Sequence, residues 1–186
     1  MFAKPKLYFS DNSYDMSFIN IEVKARTTRT EQIRKFLQDN STDFKGTDYQ
    51  TDTYFNVPKG RLKLRQGNIE NSLIYYEREN TAGPKTSDFN VVKVEDGNEM
   101  KELLANSLGV KVTVTKQREI YFIENVKFHI DHLGQLGNFV EVEASNMYMP
   151  LSLEQLNKQC NYYIKQFAIT DEDIINLSYS DMLLAL

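Results

Sequence analysis

Lysine and arginine recur at alternate positions along several segments of this 186-residue chain. Alternate residues of a β-strand project from the same face, so these cations are expected to share one face. Arg61, Lys63 and Arg65 form one such run, and their charges repel one another unless anions balance them. This face is therefore expected to meet either a polyphosphate or a set of opposing carboxylates, because arginine binds phosphate oxygens through paired hydrogen bonds. Further cations in matching positions are Lys24, Arg26, Arg78, Lys116 and Arg118.

Carboxylates follow the same alternation. Glu141 and Glu143 share one face of the predicted strand Asn138–Ala144, where their spacing is about 7 Å. Glu22 and Asp131 lie on the polar faces of two other predicted strands. Carboxylate oxygens are preferred ligands of hard divalent cations, and Mg²⁺ or Mn²⁺ recurrently bridges carboxylates to phosphate oxygens. These four carboxylates could hold one or two such ions, beside the eight cations that share the polar faces of the predicted strands.

A simpler explanation exists for any single strand. Charged residues at alternate positions usually mark the solvent face of an antiparallel sheet. Recurrence of Arg and Lys over several strands weakens this explanation, because exposed sheet faces also favour Thr, Ser and Gln. Two architectures accommodate the pattern: an open sheet with one hydrated face, and a barrel with a polar interior and helices on its apolar outer surface.

Periodicity predicts about eight strands with helices at one third, two thirds and the end of the chain. Strands that are neighbours in sequence and joined by short turns favour antiparallel pairing. The predicted strands are Ser17–Arg26, Asp48–Asn56, Arg61–Gln66, Ser72–Glu79, Asp88–Glu95, Val110–Phe122, Val126–Leu133 and Asn138–Ala144. The predicted helices are Thr30–Gln38, Asp96–Leu108, Ser152–Phe167 and Asp171–Leu177, followed by a short tail, Ser178–Leu186.

Composition and length exclude several classes of protein. Apolar residues make up 41% and charged residues 26% of the chain, which is typical of one ordinary domain and not of a disordered chain. No apolar run approaches the roughly 18 residues that cross a bilayer. Cys160 is the single cysteine, which excludes an intrachain disulfide framework and a cysteine-rich zinc site. The formal net charge of −4 lowers the expectation of a nucleic-acid partner. A cytoplasmic protein is predicted.

Five separated segments, in the right order, resemble the CYTH family, which includes class IV adenylyl cyclases and thiamine triphosphatases and is also known as the triphosphate tunnel metalloenzymes. They are NIEVKAR at Asn20–Arg26, QTDTYFNVPKGRLKLRQ at Gln50–Gln66, LIYYEREN at Leu73–Asn80, GPKTSDF at Gly83–Phe89 and TKQREIYFIENVKFHIDHLGQLGNFVEVEA at Thr115–Ala144. The sequence is similar to an adenylyl-cyclase-like branch of that family. A single CYTH-like domain is expected over residues 17–186. Residues 1–16 are expected to be an N-terminal extension, for which disorder is one expectation, and the native start is left open between Met1 and Met16.

The resemblance implies a mostly β, α+β fold: an eight-stranded antiparallel closed barrel that encloses a triphosphate tunnel, with helices packed outside. It implies a divalent-metal-dependent enzyme with Mg²⁺ or Mn²⁺ as cofactor and a small-molecule triphosphate as partner. Neither nucleic acid nor a membrane is expected as a partner, and a monomer or a homodimer is expected. The implied catalytic phosphate ligands are Lys24, Lys63, Arg65, Arg78, Lys116 and Arg118, and the implied metal ligands are Glu22, Asp131, Glu141 and Glu143. Arg26 and Arg61 are second-choice phosphate contacts, and His129 is either a substrate contact or, as favoured here, a packed strand residue.

One departure from the family motif affects the expected activity. Asn20 replaces the first glutamate of E-x-E-x-K. Asparagine offers a metal a neutral oxygen without a charge, so a second metal site is expected to be weaker. Hydrolysis of the terminal phosphate of a nucleoside triphosphate, thiamine triphosphate or inorganic tripolyphosphate is slightly favoured, because cyclisation also needs a nucleoside pocket. Class IV-type synthesis of cyclic AMP from ATP, non-catalytic binding of triphosphate or polyphosphate, and a structural barrel with internally paired ions are the alternatives.

Overall fold

The computed structural model describes residues 20–77, 89–146 and 149–186. Its strands are β1 (Asn20–Arg26), β2 (Asp43–Phe55), β3 (Arg61–Gln66), β4 (Ser72–Tyr76), β5 (Phe89–Lys93), β6 (Val110–Ile123), β7 (Val126–Leu133) and β8 (Gly137–Ser145). Its α-helices are α1 (Thr30–Asn40), α2 (Gly97–Leu108), α3 (Leu153–Gln166) and α4 (Tyr179–Leu184), and Asp171–Asp173 form a 3₁₀ helix. The predicted extension 1–16 and the predicted phosphate ligand Arg78 lie outside the described residues.

All eight strands belong to one antiparallel sheet in the order β1-β8-β7-β6-β2-β3-β4-β5. The alternation in the sequence gives this sheet one apolar and one polar face. In β1, Ile21 and Ala25 are buried in a core cluster with Phe128 and Val142, while Lys24 lies on the opposite, polar face. The predicted α+β fold with an eight-stranded antiparallel sheet is confirmed.

Helices α1 and α3 cover the apolar face because each has an apolar side of its own. In α1 the buried residues are Ile33 and Leu37, and in α3 they are Leu156 and Cys160. All four belong to the core cluster under the sheet. Helix α3 begins with a capping box in which Ser152 accepts a hydrogen bond from the Gln155 amide. The polar face of the sheet is consequently left to form the interior of the curl. No helix among the described residues is long and apolar enough to span a membrane.

The sheet curls into a half-barrel, and the predicted barrel closure is not seen in residues 20–77, 89–146 and 149–186. Strands β1 and β5 are its two edges, and no ladder joins them within those ranges. The outer edge of β1 is instead met by the C-terminal segment. Ala25 forms an antiparallel bridge with Ile174, and the Ile175 amide donates to the Lys24 carbonyl at 2.8 Å. That edge is therefore occupied where a closing strand would pair.

Three predictions about the bounds of elements were wrong. The helix predicted at Asp171–Leu177 is only one 3₁₀ turn, Asp171–Asp173, because Ile174 is extended to pair with β1. A helix, α4, lies instead in the predicted tail, where the Ser178 hydroxyl accepts from the Asp181 amide at its N-terminus.

Strand β2 starts at Asp43, five positions before the predicted Asp48. A register shift between Phe44 and Gly46 interrupts the alternation there, which hides the strand from a period-two search.

Candidate active site

A cavity of about 190 Å³ lies against the polar face of the half-barrel. Residues from every strand except β5, together with Ser178 and Tyr179, line it among the described residues. Five of these lining residues are cationic: Lys24, Lys63, Arg65, Lys116 and Arg118. Four are acidic: Glu22, Asp52, Glu141 and Glu143. The lining thus carries a much smaller excess of cations than the predicted interior of eight cations and four carboxylates.

Asp52 is the centre of one group of cations. It is 1% exposed and pairs with Arg65 in the β2–β3 register. The Arg65 Nε donates to Asp52 Oδ1 at 2.8 Å and its Nη2 to Oδ2 at 2.9 Å. Lys63 Nζ and Lys116 Nζ approach Asp52 Oδ2 at 3.1 and 3.4 Å. Burial alone would raise the pKa of Asp52, but the three cations hold it well below its usual value, so Asp52 is a buried carboxylate ion.

Asp52 was not among the predicted site residues, although carboxylates were one of two groups predicted to balance Arg61, Lys63 and Arg65. The available signal was the alternation of Asp48, Gln50 and Asp52 along β2, which places all three on one strand face. The register between β2 and β3, which brings Asp52 opposite Arg65, is a tertiary feature.

Arg118 is the centre of a second group, which contains two of the predicted metal ligands. Its Nε donates to Asp131 Oδ1 at 2.7 Å, and its Nη2 donates to Glu141 Oε2 at 2.7 Å. Lys24 Nζ lies 3.5 Å from Glu141 Oε1, and the Tyr179 hydroxyl donates to Asp131 Oδ2 at 2.8 Å. Burial would raise the pKa of Glu141, but Arg118 and Lys24 hold it well below its usual value. Both carboxylates are thus engaged by protein cations, and Asp131 lies behind the cavity lining.

Glu143 has different surroundings. It faces Glu22 across the β1–β8 ladder, and Asn20 Nδ2 donates to its Oε1 at 3.1 Å. Burial, followed by repulsion from Glu22, raises the pKa of Glu143 to about 7. Asn20 Oδ1 is buried without a hydrogen-bond partner among the described residues. A buried carboxyl beside a second carboxylate and an unused amide oxygen suits a divalent cation, which would take oxygen ligands and favour the ionised carboxylate.

The predicted metal ligands do not lie together as one group in the described residues. Across the described ranges, no three His, Cys, Asp or Glu side chains are grouped closely enough to hold a metal ion. Glu22, Glu143 and the Asn20 oxygen therefore form the candidate set, with further ligands to come from phosphate or water, as is usual for Mg²⁺. Asp131 and Glu141 serve in this structure as ion-pair partners of Arg118.

The second-choice residues fall in different places. His129 lines the cavity, and its Nδ1 lies 3.0 Å from Glu141 Oε2. Burial, followed by repulsion from Arg118, lowers the pKa of His129 to about 3, so the ring is neutral near pH 7. Arg26 is exposed and donates to the Leu136 carbonyl, while Arg61 pairs with Asp181 at 2.8 Å. Neither Arg26 nor Arg61 lines the cavity.

Tyr179 is a lining residue that sequence analysis also missed. Its ring centroid lies 4.2 Å from Lys24 Nζ and 5.4 Å from Lys116 Nζ, within the range of cation–π attraction. Burial raises the pKa of Tyr179 well above its usual value. No local motif marks this residue, since it lies in a segment predicted to be a tail.

Comparisons with known proteins agree with the fold. A model of the CYTH domain matches residues 19–147. A Methanocaldococcus jannaschii protein with the provisional name adenylate cyclase is 25% identical over an alignment of 173 residues, and the match covers 88% of this chain and 98% of the relative. The structure of the PH1012 protein from Pyrococcus horikoshii superposes with a TM-score of 0.74 at 24% identity, covering 88% of this chain and 98% of that one.

A second solved structure bears on activity. It is the Hippeastrum protein HpAC1, provisionally named an adenylyl cyclase and described as having a dominant triphosphatase activity. It has a TM-score of 0.63 at 13% identity and covers 90% of this chain and 95% of its own. At that identity the likeness concerns the fold. The family match, which extends over more than half of the chain and confirms the resemblance seen in the sequence, shows that this protein belongs to the CYTH family.

Proposed function

We propose that this protein is a divalent-metal-dependent triphosphatase that binds a triphosphate in the cavity and hydrolyses its terminal phosphate. Proteins of the CYTH family bind triphosphate substrates and generally use divalent metals. The observation that supports the proposal is one cavity in which five Lys and Arg side chains face Glu22 and Glu143. Cations of this density match phosphate oxygens, and the acidic pair matches a metal that also binds the phosphates.

The residues divide the work by charge. Lys63 and Arg65 on β3 and Lys116 on β6, the two strands that flank β2, would bind and orient the phosphate chain. Glu22, Glu143 and the Asn20 oxygen would hold Mg²⁺ or Mn²⁺, which when bound stabilises negative charge on phosphate and lowers the pKa of water. In hydrolysis the water oxygen forms a bond to the terminal phosphorus, the bridging P–O bond breaks with its electron pair on the departing diphosphate group, and the water gives up one proton to solvent. Arg118, fixed by Asp131 and Glu141, would stabilise the charge that develops.

Synthesis of cyclic AMP is the second candidate. It is favoured by the provisional name of the Methanocaldococcus relative. Triphosphatase activity is placed first because the Hippeastrum protein of the same fold is described as mainly a triphosphatase. Hydrolysis also needs no nucleoside pocket. A cytoplasmic location and a monomer or homodimer remain predictions.

Product analysis tests the proposal. Purified protein is offered ATP, thiamine triphosphate and tripolyphosphate, each with Mg²⁺ and with Mn²⁺. The proposal expects metal-dependent release of inorganic phosphate. Cyclic AMP from ATP would support the second candidate. A rise in melting temperature with tripolyphosphate but no product would indicate a binding module, and neither effect would indicate a structural barrel.

Glu143→Gln tests the metal assignment. The amide keeps the size of the side chain and the acceptor for Asn20 but removes the charge, so turnover should fall on the order of 100-fold or more. The matched control is Glu154→Gln on α3, where the side chain is 76% exposed and pairs with Lys158. Equal turnover in the Glu143 variant and the control would contradict the assignment.

A further inference from the structure

Asp52 occupies a position that an anionic ligand would be expected to take. Its carboxylate accepts from Arg65 through both oxygens and is approached by Lys63 and Lys116. The Asp52 side chain is 2% exposed, so water does not screen these pairs as it would at the surface. The cations that sequence analysis assigned to phosphate binding are thus already paired with an anion belonging to the protein.

The summed charge of the cavity lining likewise leaves little positive charge for a free anion. Five Lys and Arg residues and four Asp and Glu residues line the described cavity, leaving a formal charge of +1 when His129 is neutral and both Lys116 and Glu143 are charged. A free triphosphate is highly anionic, and this lining neutralises only a small part of its charge. A triphosphate that arrives with a divalent cation has a lower charge and is better matched.

We propose that Asp52 is a built-in counter-anion that makes tight binding of triphosphate conditional on a divalent cation. This specificity-determining role rests on the triphosphate site proposed above. A free triphosphate must share Lys63, Arg65 and Lys116 with a buried carboxylate that repels it. Metal charge offsets that repulsion, so Asp52 selects the metal complex over the free anion.

The opposite role would be that of a scaffold. If Asp52 served only to position Lys63 and Arg65, its removal would release their side chains and weaken triphosphate binding with and without metal. The two roles predict opposite signs for the change in metal-free affinity. The sign is therefore the quantity to measure.

Isothermal titration calorimetry with tripolyphosphate, in EDTA and in Mg²⁺, makes the measurement. Asp52→Asn preserves the shape of the side chain and removes its charge. The expected result is metal-free binding tighter on the order of tenfold, with a smaller gain on adding Mg²⁺. The control Asp39→Asn makes the same charge change at an exposed ion pair with Lys35, outside the cavity, and should alter either affinity by no more than about twofold. Unchanged or weaker metal-free binding in Asp52→Asn would overturn the inference.

A second pair of variants guards against a folding defect in Asp52→Asn. Lys63→Met is compared with the double variant Asp52→Asn/Lys63→Met. In the double variant only Arg65 and Lys116 lose Asp52 as a partner, whereas in Asp52→Asn alone Lys63 loses it as well. The double variant should bind metal-free tripolyphosphate more tightly than Lys63→Met, and the reverse order would also overturn the role of Asp52. Wild-type protein that binds tripolyphosphate neither in EDTA nor in Mg²⁺ would instead refute the proposed triphosphate site.

Discussion

Lys116 is a cavity residue whose charge depends on its surroundings. Its side chain is 3% exposed, and its Nζ lies 3.4 Å from Asp52. Burial, followed by repulsion from Arg118, lowers the pKa of Lys116 from 10.5 to about 7, while attraction by Asp52 opposes the shift. A phosphate ligand would add negative charge beside this ammonium group and favour its protonated form. The same residue therefore affects both folding stability and ligand affinity as pH changes.

The signs of these two effects are opposite. Because the folded-state pKa of Lys116 lies below its unfolded value, the folded protein binds fewer protons than the unfolded chain between about pH 7 and 10.5. The free energy of unfolding of the metal-free protein should thus gain on the order of 1 kcal/mol per pH unit from this residue as pH rises from 7.5 to 9.5. Urea unfolding at several pH values checks this, with Lys116→Met expected to lack the gain.

The affinity for tripolyphosphate tests the same pKa shift of Lys116. In the same range, tripolyphosphate affinity of the wild-type protein should fall as pH rises, since binding requires the charged ammonium group. Lys116→Met should show a flatter profile. Parallel pH profiles of wild type and variant, in stability and in affinity alike, would contradict the assigned pKa shift.

Predictability of the site differs from residue to residue. Strand alternation correctly placed Lys63, Arg65 and Glu143 in one cavity, because alternate positions along a strand share one face. Arg61 lies on the same strand face as Lys63 but pairs with Asp181, and that contact depends on where α4 packs. Asp52 was missed because its partners become visible only in the strand register. Alternation along a strand thus predicts the face on which a side chain lies, whereas identifying its ion-pair partner requires the tertiary structure.

The turn between β3 and β4 shows how one element positions cavity charges. Asp48 is fully buried and accepts from the Ile69 and Glu70 amides at 2.9 and 3.0 Å. Glu70, held in this way, pairs with Arg65 at 2.7 Å and with Lys127 at 3.2 Å. Gly67 lies against the same carboxylate, where an added Cβ would be 2.5 Å from Asp48 Oδ1. The absence of a side chain at residue 67 therefore allows the turn to close over Asp48.

Gly67→Ala should consequently destabilise the fold. The methyl group must displace a buried carboxylate that holds two backbone amides, with an expected loss of about 1–3 kcal/mol in the free energy of unfolding. Urea unfolding at constant pH measures the loss. Gly134→Ala is the matched control, because nothing lies within 4 Å of its added Cβ, and its effect should stay within about 0.5 kcal/mol. Equal stability of the two variants would show that the turn relaxes without cost.

At the scale of elements, the sequence predicts well where alternation is regular. Strands β3 and β7 have the predicted bounds, Arg61–Gln66 and Val126–Leu133. Prediction fails where a tertiary contact decides the local conformation. Ile174 was predicted to be helical but is extended, because its backbone pairs with Ala25 of β1. Helix propensity is a weak preference that such pairing overrides.

At the scale of the whole molecule, the C-terminal segment, from Ile174 through α4, joins parts of the half-barrel that are distant in the sheet. Its Ile175 amide donates to Lys24 of β1, and its Asp181 pairs with Arg61 of β3. Between these two contacts, Tyr179 enters the cavity lining and packs edge-on against Phe139 at a centroid distance of 5.0 Å. The segment therefore connects an edge strand, the far side of the sheet and the cavity, so loosening one contact should affect the others.

Tyr179→Phe tests this connection. The variant keeps the ring near Lys24 and Phe139 but loses the hydroxyl that donates to Asp131, leaving that buried carboxylate with Arg118. The free energy of unfolding should fall by about 1–2 kcal/mol. Amide hydrogen exchange of Ile175, whose hydrogen bond attaches the segment to β1, should become faster. Tyr162→Phe on α3, where the residue is 53% exposed, serves as control and should change stability by less than about 0.5 kcal/mol. If exchange at Ile175 were as slow in Tyr179→Phe as in the control, the hydroxyl contact would not contribute to holding the segment on β1.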